Sequence, residues 1–367
     1  MVRIETLPMA QPKGTGIEGT PNPGKEVPMS DRRDDWSRRK FVSELSLAGT
    51  AGLLGLHPDQ AAAESSPETT KLRVLQLAAI CAAPMHVAEE LLRSEGFSDL
   101  RYVRAGGSSE VLKALGSGKA DVTQEFAGGL VMRIDAGDPI LILAGSHPGC
   151  AELFGSNQVH GIRDLKGKTV AVPELGAGSM QHLVVASMAA HVGLDPRRDI
   201  KFIVSDEDMK LFTEGKIDAY LGFPPTAHEL RAKKIGHVVV NTMMDQPWSQ
   251  YFCCMIAGNR DFVRRNPVAT KRALRTIQKA ANLCSLEPDR VARLLVEKGY
   301  TEHYEWTRDA IKETPYGNWR EYDAEDSVRF WALRLHEAGM IKSNPKKIIA
   351  QGTDWRFLNE LKNELKG

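Results

Sequence analysis

The chain has 367 residues, of which 42% are hydrophobic and 26% charged, and its formal net charge is +1. That is the composition of an ordinary globular protein with room for two domains. No overall field favours nucleic acid or a membrane surface. Residues 1–63 read as a tail and targeting region. Positions 1–28 are rich in Gly, Pro and polar residues without an apolar period, and Met29 is an alternative start to Met1. Ser37-Arg38-Arg39-Lys40-Phe41, a diluted apolar run from Leu45 to Leu56, and Ala61-Ala62-Ala63 follow in that order. A charged segment, a short apolar segment and a small-x-small site make a cleavable export signal, and Arg38 and Arg39 mark the twin-arginine type. The apolar run is too short for a spanning anchor, so a product beginning near Glu64 is expected in the periplasm. The removed part holds 8 basic and 8 acidic side chains, which leaves the net charge unchanged.

Residues 71–78 alternate as a first strand, and Ala82–Glu95 follows as a helix with Pro84 in its first turn. Leu100–Arg104 is a second strand, and Gly106-Gly107-Ser108-Ser109 is a loop before a helix over 110–115. A strand over 120–124, a helix over 130–135 and a strand over 140–144 come next. Strands alternating with helices predict an α/β fold with a mainly parallel sheet. Ser146-His147-Pro148-Gly149-Cys150 interrupts the pattern as a crossing into a second lobe. Thr169–Val172, a helix from Met180 to Val192, Asp199–Val204, Ile217–Leu221 and His237–Val240 form a second α/β unit. Gln246-Pro247-Trp248 is the return crossing, and Tyr251–Ala257 a strand back in the first lobe. From Asp261 onward the chain is helical. The expected organisation is a first lobe over 64–148, an inserted second lobe over 149–246, and a return strand with C-terminal helices over 247–367.

Two stretches 97 positions apart share the pattern K-x(4)-G-K-x-D-x(4)-F: Lys113–Phe126 and Lys210–Phe223. Each reads as a helix end, a Gly stop, a charged turn and a short strand closed by an aromatic. A unit used twice predicts two similar lobes facing each other. Ligands bind such sheets at the carboxyl ends of strands, which places Glu125, Phe126 and Phe223 on two walls of one cleft. The same rings also suit a core.

Other candidates lie at corresponding places. The turn Glu174–Ser179 leads from a strand into a helix; the amides of Gly176 and Gly178, with Ser179 as N-cap, suit an anion. Glu174 opposes that unless it points away. Ala83 and Pro84 open the first helix across the cleft. His147 at the crossing is either a donor to a carboxylate or sulfonate, or a structural loop histidine. Trp248 and Tyr251 border the cleft floor. The five cysteines, Cys81, Cys150, Cys253, Cys254 and Cys284, show no local Cys/His spacing for zinc. Cys253-Cys254 has no His close in sequence. Strand alternation sends one thiol to each face, as small buried hydrophobes. No metal, cofactor or catalytic set is expected.

Asp164-Leu165-Lys166-Gly167-Lys168-Thr169-Val170-Ala171-Val172 resembles the D-L-K-G-K-x-V-x-V segment that opens the second lobe in solute-binding proteins of ABC importers. Gly118-Lys119-Ala120-Asp121-Val122 is similar to their G-x-x-D-V segment. Val192-Gly193-Leu194 ends a helix as theirs does, and Asn259-Arg260-Asp261-Phe262 with Pro267 resembles their return helix. Over about 71–345 the chain resembles the SsuA/THI5-like branch, whose members bind sulfonates, nitrate, taurine or a pyrimidine precursor. The resemblance implies a type II periplasmic binding protein fold, a monomer, and a small-molecule ligand passed to an ABC permease and ATPase complex. An organic acid or sulfonate is the expected solute. It also leaves open a pyrimidine-precursor-synthase-like enzyme or a ligand-presenting sensor subunit.

Overall fold

The alternation at residues 71–78 becomes strand β1 (Lys71–Leu77), whose Leu72, Val74 and Leu75 are buried. The protein is described here by a computed structural model covering residues 65–365 except position 78. The export-signal reading, Arg38 and Arg39 included, lies outside the described residues. After β1 come α1 (Ala83–Ser94), β2 (Asp99–Ala105), α2 (Ser108–Gly116), β3 (Val122–Phe126), α3 (Ala127–Asp135) and β4 (Ile140–Pro148). Two boundaries differ from expectation. Helix α2 already begins at Ser108, with Gly107 extended before it. Strand β4 runs on to Pro148 and is buried throughout. His147 is therefore a strand residue and not a loop residue. The polar stretch was misleading because β4 stays paired as far as Pro148, opposite Phe252, and Ser146 Oγ and His147 Nδ1 find partners inside the protein.

The chain then forms β5 (Glu152–Gly155), β6 (Thr169–Val172), α4 (Met180–His191), α5 (Pro196–Asp199), β7 (Lys201–Val204), α6 (Asp208–Thr213), β8 (Ala219–Gly222), α7 (Thr226–Lys233) and β9 (His237–Asn241). It returns through β10 (Phe252–Asn259) and ends in helices: α8 (Arg260–Arg265), α9 (Pro267–Leu286), α10 (Pro288–Glu297), α11 (Tyr304–Glu313), α12 (Ala324–Glu337), α13 (Pro345–Gly352) and α14 (Arg356–Glu364).

The strands make two five-stranded sheets, ordered β2-β1-β3-β10-β4 and β7-β6-β8-β5-β9. Position by position the orders correspond. In each, the first three strands are parallel. The fourth, β10 or β5, is antiparallel to both neighbours and enters just after the chain has left the other sheet. The architecture is α/β and two-lobed, as the repeat predicts. The repeated residues also do the same work in both lobes. Gly118 and Gly215 each have φ +69°, the left-handed value that lets a helix end and the chain turn. Asp121 accepts the Arg73 amide at 2.7 Å and returns its own N–H to the Arg73 carbonyl at 2.9 Å. Asp218 does the same with Thr169, at 2.8 and 2.9 Å. Each aspartate thereby ties its strand to the parallel strand beside it, β1 or β6.

Helix α9 lays a face of Ala269, Ala273, Ile277 and Ala280 into the core at helical spacing. Helix α12 packs on α3 of the first lobe and α4 of the second. Among the described residues no helix is long and apolar enough to cross a membrane.

Candidate functional site

The turn between β6 and α4 is built from small residues because the first lobe touches it. A Cβ on Gly178 would lie 2.7 Å from that of Ser109, and one on Gly129 would lie 3.0 Å from the Ala177 carbonyl oxygen. The turn therefore faces the beginnings of α2 and α3, with the lobes in contact. Ser179 caps α4 as expected, accepting from the His182 amide at 3.1 Å. The Gly176 amide is already committed to His182 Nδ1 at 2.9 Å, so it is not free for an anion in this arrangement. Burial lowers the His182 pKa, which suits that acceptor role.

The end of β3 supplies the polar floor. Gln124 is fully used: Nε2 donates to the Cys81 carbonyl at 2.8 Å, and Oε1 accepts from Ser146 Oγ at 2.8 Å. Glu125 is buried, and its Oε1 accepts from Ser108 Oγ at 3.0 Å and from the Phe126 amide at 2.8 Å. Its Oε2 is buried with no hydrogen-bond partner. Burial pushes this carboxyl up to about 7, against the two hydrogen bonds. A carboxyl held so is half-protonated at neutral pH and presents an O–H as readily as an acceptor.

The other predicted residues are placed as follows. Ala83 and Pro84 are buried in the first turn of α1. The Phe126 ring is 2% exposed, lies over Gly128, and meets Trp331 edge-on with centroids 4.8 Å apart. Phe223, just after β8, is half-buried. Trp248 is buried between His191 of α4 and Phe330 of α12, at 5.7 and 5.5 Å, so it wedges the return crossing. Tyr251 stacks on Phe330 at 4.0 Å.

The two crossings are joined by Thr242, which sequence reasoning did not find. Its Oγ1 accepts from the amides of Cys150 and Ala151 at 3.2 and 2.9 Å and donates to the Ala151 carbonyl at 2.7 Å. Beside this junction the protein gathers four metal-type donors. Atoms of Cys81, His147, Cys150 and Cys254 all lie within 4.8 Å of one another. Cys253 Sγ is a further 3.5 Å neighbour of Cys150 Sγ. One expectation is corrected here. His147 stands opposite Cys254 in the β4–β10 register, a neighbour in space though not in sequence. Register shifts on both sides of Cys254 break the alternation that was to divide the two thiols between faces. The donors come from three places in the chain; His147 and Cys150, three residues apart, are a local pair the sequence did show, and Cys81 and Cys254 join them only through the fold. Hydrogen bonds from Cys150 and Cys254 hold the Cys81 thiol well below its ordinary range. Burial pushes Cys253 well above it. All five cysteines are free.

Two facing α/β lobes with corresponding strand orders, joined at paired crossings, define the two-lobed periplasmic binding protein fold. Solved structures share it. The periplasmic nitrate-binding protein NrtA of Synechocystis matches with TM-score 0.68 at 15% identity, over 82% of this chain and 90% of its own. The alkanesulfonate-binding protein SsuA of Xanthomonas axonopodis, bound to MOPS, matches at 0.64 and 16%, over 79% and 100%. The aliphatic sulphonate-binding SsuA of Escherichia coli matches at 0.62 and 17%, over 78% and 94%. No curated protein matches the sequence. The family model described as NMT1/THI5 like matches residues 86–291, more than half of the chain, and the protein belongs to that family.

Proposed function

We propose that this protein is a periplasmic solute-binding protein that closes two lobes on a small organic solute and delivers it to an ABC permease and ATPase complex. The observation that carries this reading is the contact of the β6–α4 turn with the beginnings of α2 and α3, between two lobes that the chain connects by two crossings. That is the arrangement of a hinged clamp. No covalent step is needed. An organic acid or a sulfonate with an apolar body fits the site. Glu125 Oε2 supplies an unshared polar atom and Phe223 apolar area, whereas the Glu174 carboxylate lies against Gly178 and takes up the space there. The similarity to proteins named for sulfonate and nitrate binding agrees with an oxyanion.

A thermal-shift screen of organic acids, sulfonates, nitrate and pyrimidines on the protein without its leader tests the proposal. A true ligand at about 100 times its Kd stabilises by about 2.7 kcal/mol. Stabilisation by a carboxylate or sulfonate is expected. Stabilisation by a pyrimidine alone would move the reading toward the synthase-like enzymes, and no response from any class would overturn it.

A further inference from the structure

The cysteine and histidine donors at the junction are not explained by solute binding, and their geometry has a purpose of its own. A tetrahedral ion with bonds of about 2.0 Å to nitrogen and about 2.3 Å to sulfur needs its donors roughly 3.5–3.8 Å apart. Four donors already within 4.8 Å of one another reach that by small side-chain adjustments. The donor types agree as well. Three thiols and one imidazole are a soft to borderline set that selects d-block ions over magnesium or calcium.

The histidine is prepared for the role. Its Nδ1 lies 3.3 Å from both the Pro148 and Gly149 carbonyl oxygens, which suits an N–H at that position. Nε2 then keeps its lone pair, and it is buried without a hydrogen-bond partner. A metal-bound histidine has this pattern: one nitrogen donates to a backbone carbonyl while the other faces the ion. Tyr316 closes the other side, its ring edge-on to His147 at 5.4 Å and fully buried.

We infer that Cys81, His147, Cys150 and Cys254 form a binding site for one divalent d-block ion of the zinc or ferrous type. Only one of the four donors lies on β10. Cys81 belongs to the turn after β1, His147 to the end of β4, and Cys150 to the first crossing. The four protein ligands complete a tetrahedron with no open position, so the site is structural rather than catalytic. An ion there ties the crossing to the first lobe at the point about which the lobes must move. Binding displaces thiol protons to solvent, so affinity rises with pH.

The test is Co2+ titration of the reduced full chain in the absence of solute, a readout independent of transport. One equivalent is expected to give the intense visible bands of tetrahedral cobalt and a thiolate charge-transfer band, both erased by Zn2+. Cys81→Ser, Cys254→Ser and His147→Gln should each weaken uptake at least 10-fold, whereas Cys284→Ser leaves it unchanged. X-ray absorption on the zinc-loaded wild type avoids any variant that fails to fold, and should show a shell of three sulfurs and one nitrogen. A shell of oxygen and nitrogen only, or uptake indifferent to Cys81 and Cys254, would overturn the site. So would failure of the fully reduced protein to take up Co2+.

Discussion

Glu125 shows how far one buried carboxyl changes the behaviour of the site. Two hydrogen bonds serve its Oε1 and none its Oε2, and burial raises the group from an ordinary 4.5 to about 7. An acid whose folded pKa is raised binds its proton more tightly when folded. Its contribution is present below about pH 4.5 and is lost as the pH climbs through about 7. The gap corresponds to about 3 kcal/mol. In metal-free protein, Glu125→Gln keeps the same acceptor for Ser108 and Phe126 and removes the ionisation. The variant should match the wild type near pH 4.5 and exceed its stability by up to about 3 kcal/mol at pH 8. Urea unfolding at several pH values checks this; a constant offset at every pH contradicts it. The same carboxyl should make solute affinity fall above neutrality if its O–H donates to an oxyanion.

The repeated helix–turn–strand unit is where sequence and structure agree most closely, and its terminal phenylalanines are where they part. The Gly–Lys–x–Asp turn repeats down to the same glycine φ and the same pair of backbone hydrogen bonds to the aspartate. It was legible because its parts are local: a helix stop, a turn and a carboxylate within reach of the next strand. The rings depend on what the rest of the chain brings to them. Phe126 meets Trp331 of α12, while Phe223 stays half-buried. Phe126→Ala is therefore expected to cost about 3–5 kcal/mol of stability, as core truncations do. Phe223→Ala should cost less stability and weaken solute binding by about 1–3 kcal/mol. Unfolding and binding measured on both variants separate the two. Normal affinity in Phe223→Ala would make the repeat architecture in both lobes. The cysteine cluster lies at the opposite extreme of legibility. Cys81 and Cys254 stand far apart in the chain and meet only through the order of the strands. The register shifts that turn Cys254 toward His147 leave no mark in a period-2 pattern.

At the scale of the whole molecule, the lobes are held together outside the cleft as well as inside it. Glu313 of α11 accepts from Arg231 Nη2 of α7 at 2.8 Å and lies 3.1 Å from His228 Nε2. Arg231 also reaches the buried Glu152 of β5 at 3.5 Å. Arg334 of α12 lies 3.0 Å from His191 Nδ1 of α4. Half-exposed ion pairs of this kind contribute about 0.2–1 kcal/mol each. Glu313→Gln should therefore shift the balance toward the open form and weaken solute binding by about 2–5-fold. Small-angle scattering should show less compaction at subsaturating solute. An affinity equal to that of the wild type would show that this latch does not report on closure. The strand order, finally, sets a timetable for biosynthesis. All five strands of the second sheet lie between Glu152 and Asn241, whereas β10 sits between β3 and β4 of the first. A nascent chain emerging from the ribosome can finish the inserted lobe on its own. The lobe translated first must wait with a slot open in the middle of its sheet until residues beyond 252 arrive. A fragment spanning 149–246 is thus self-sufficient in strands, and one ending before 252 leaves the first sheet split in two.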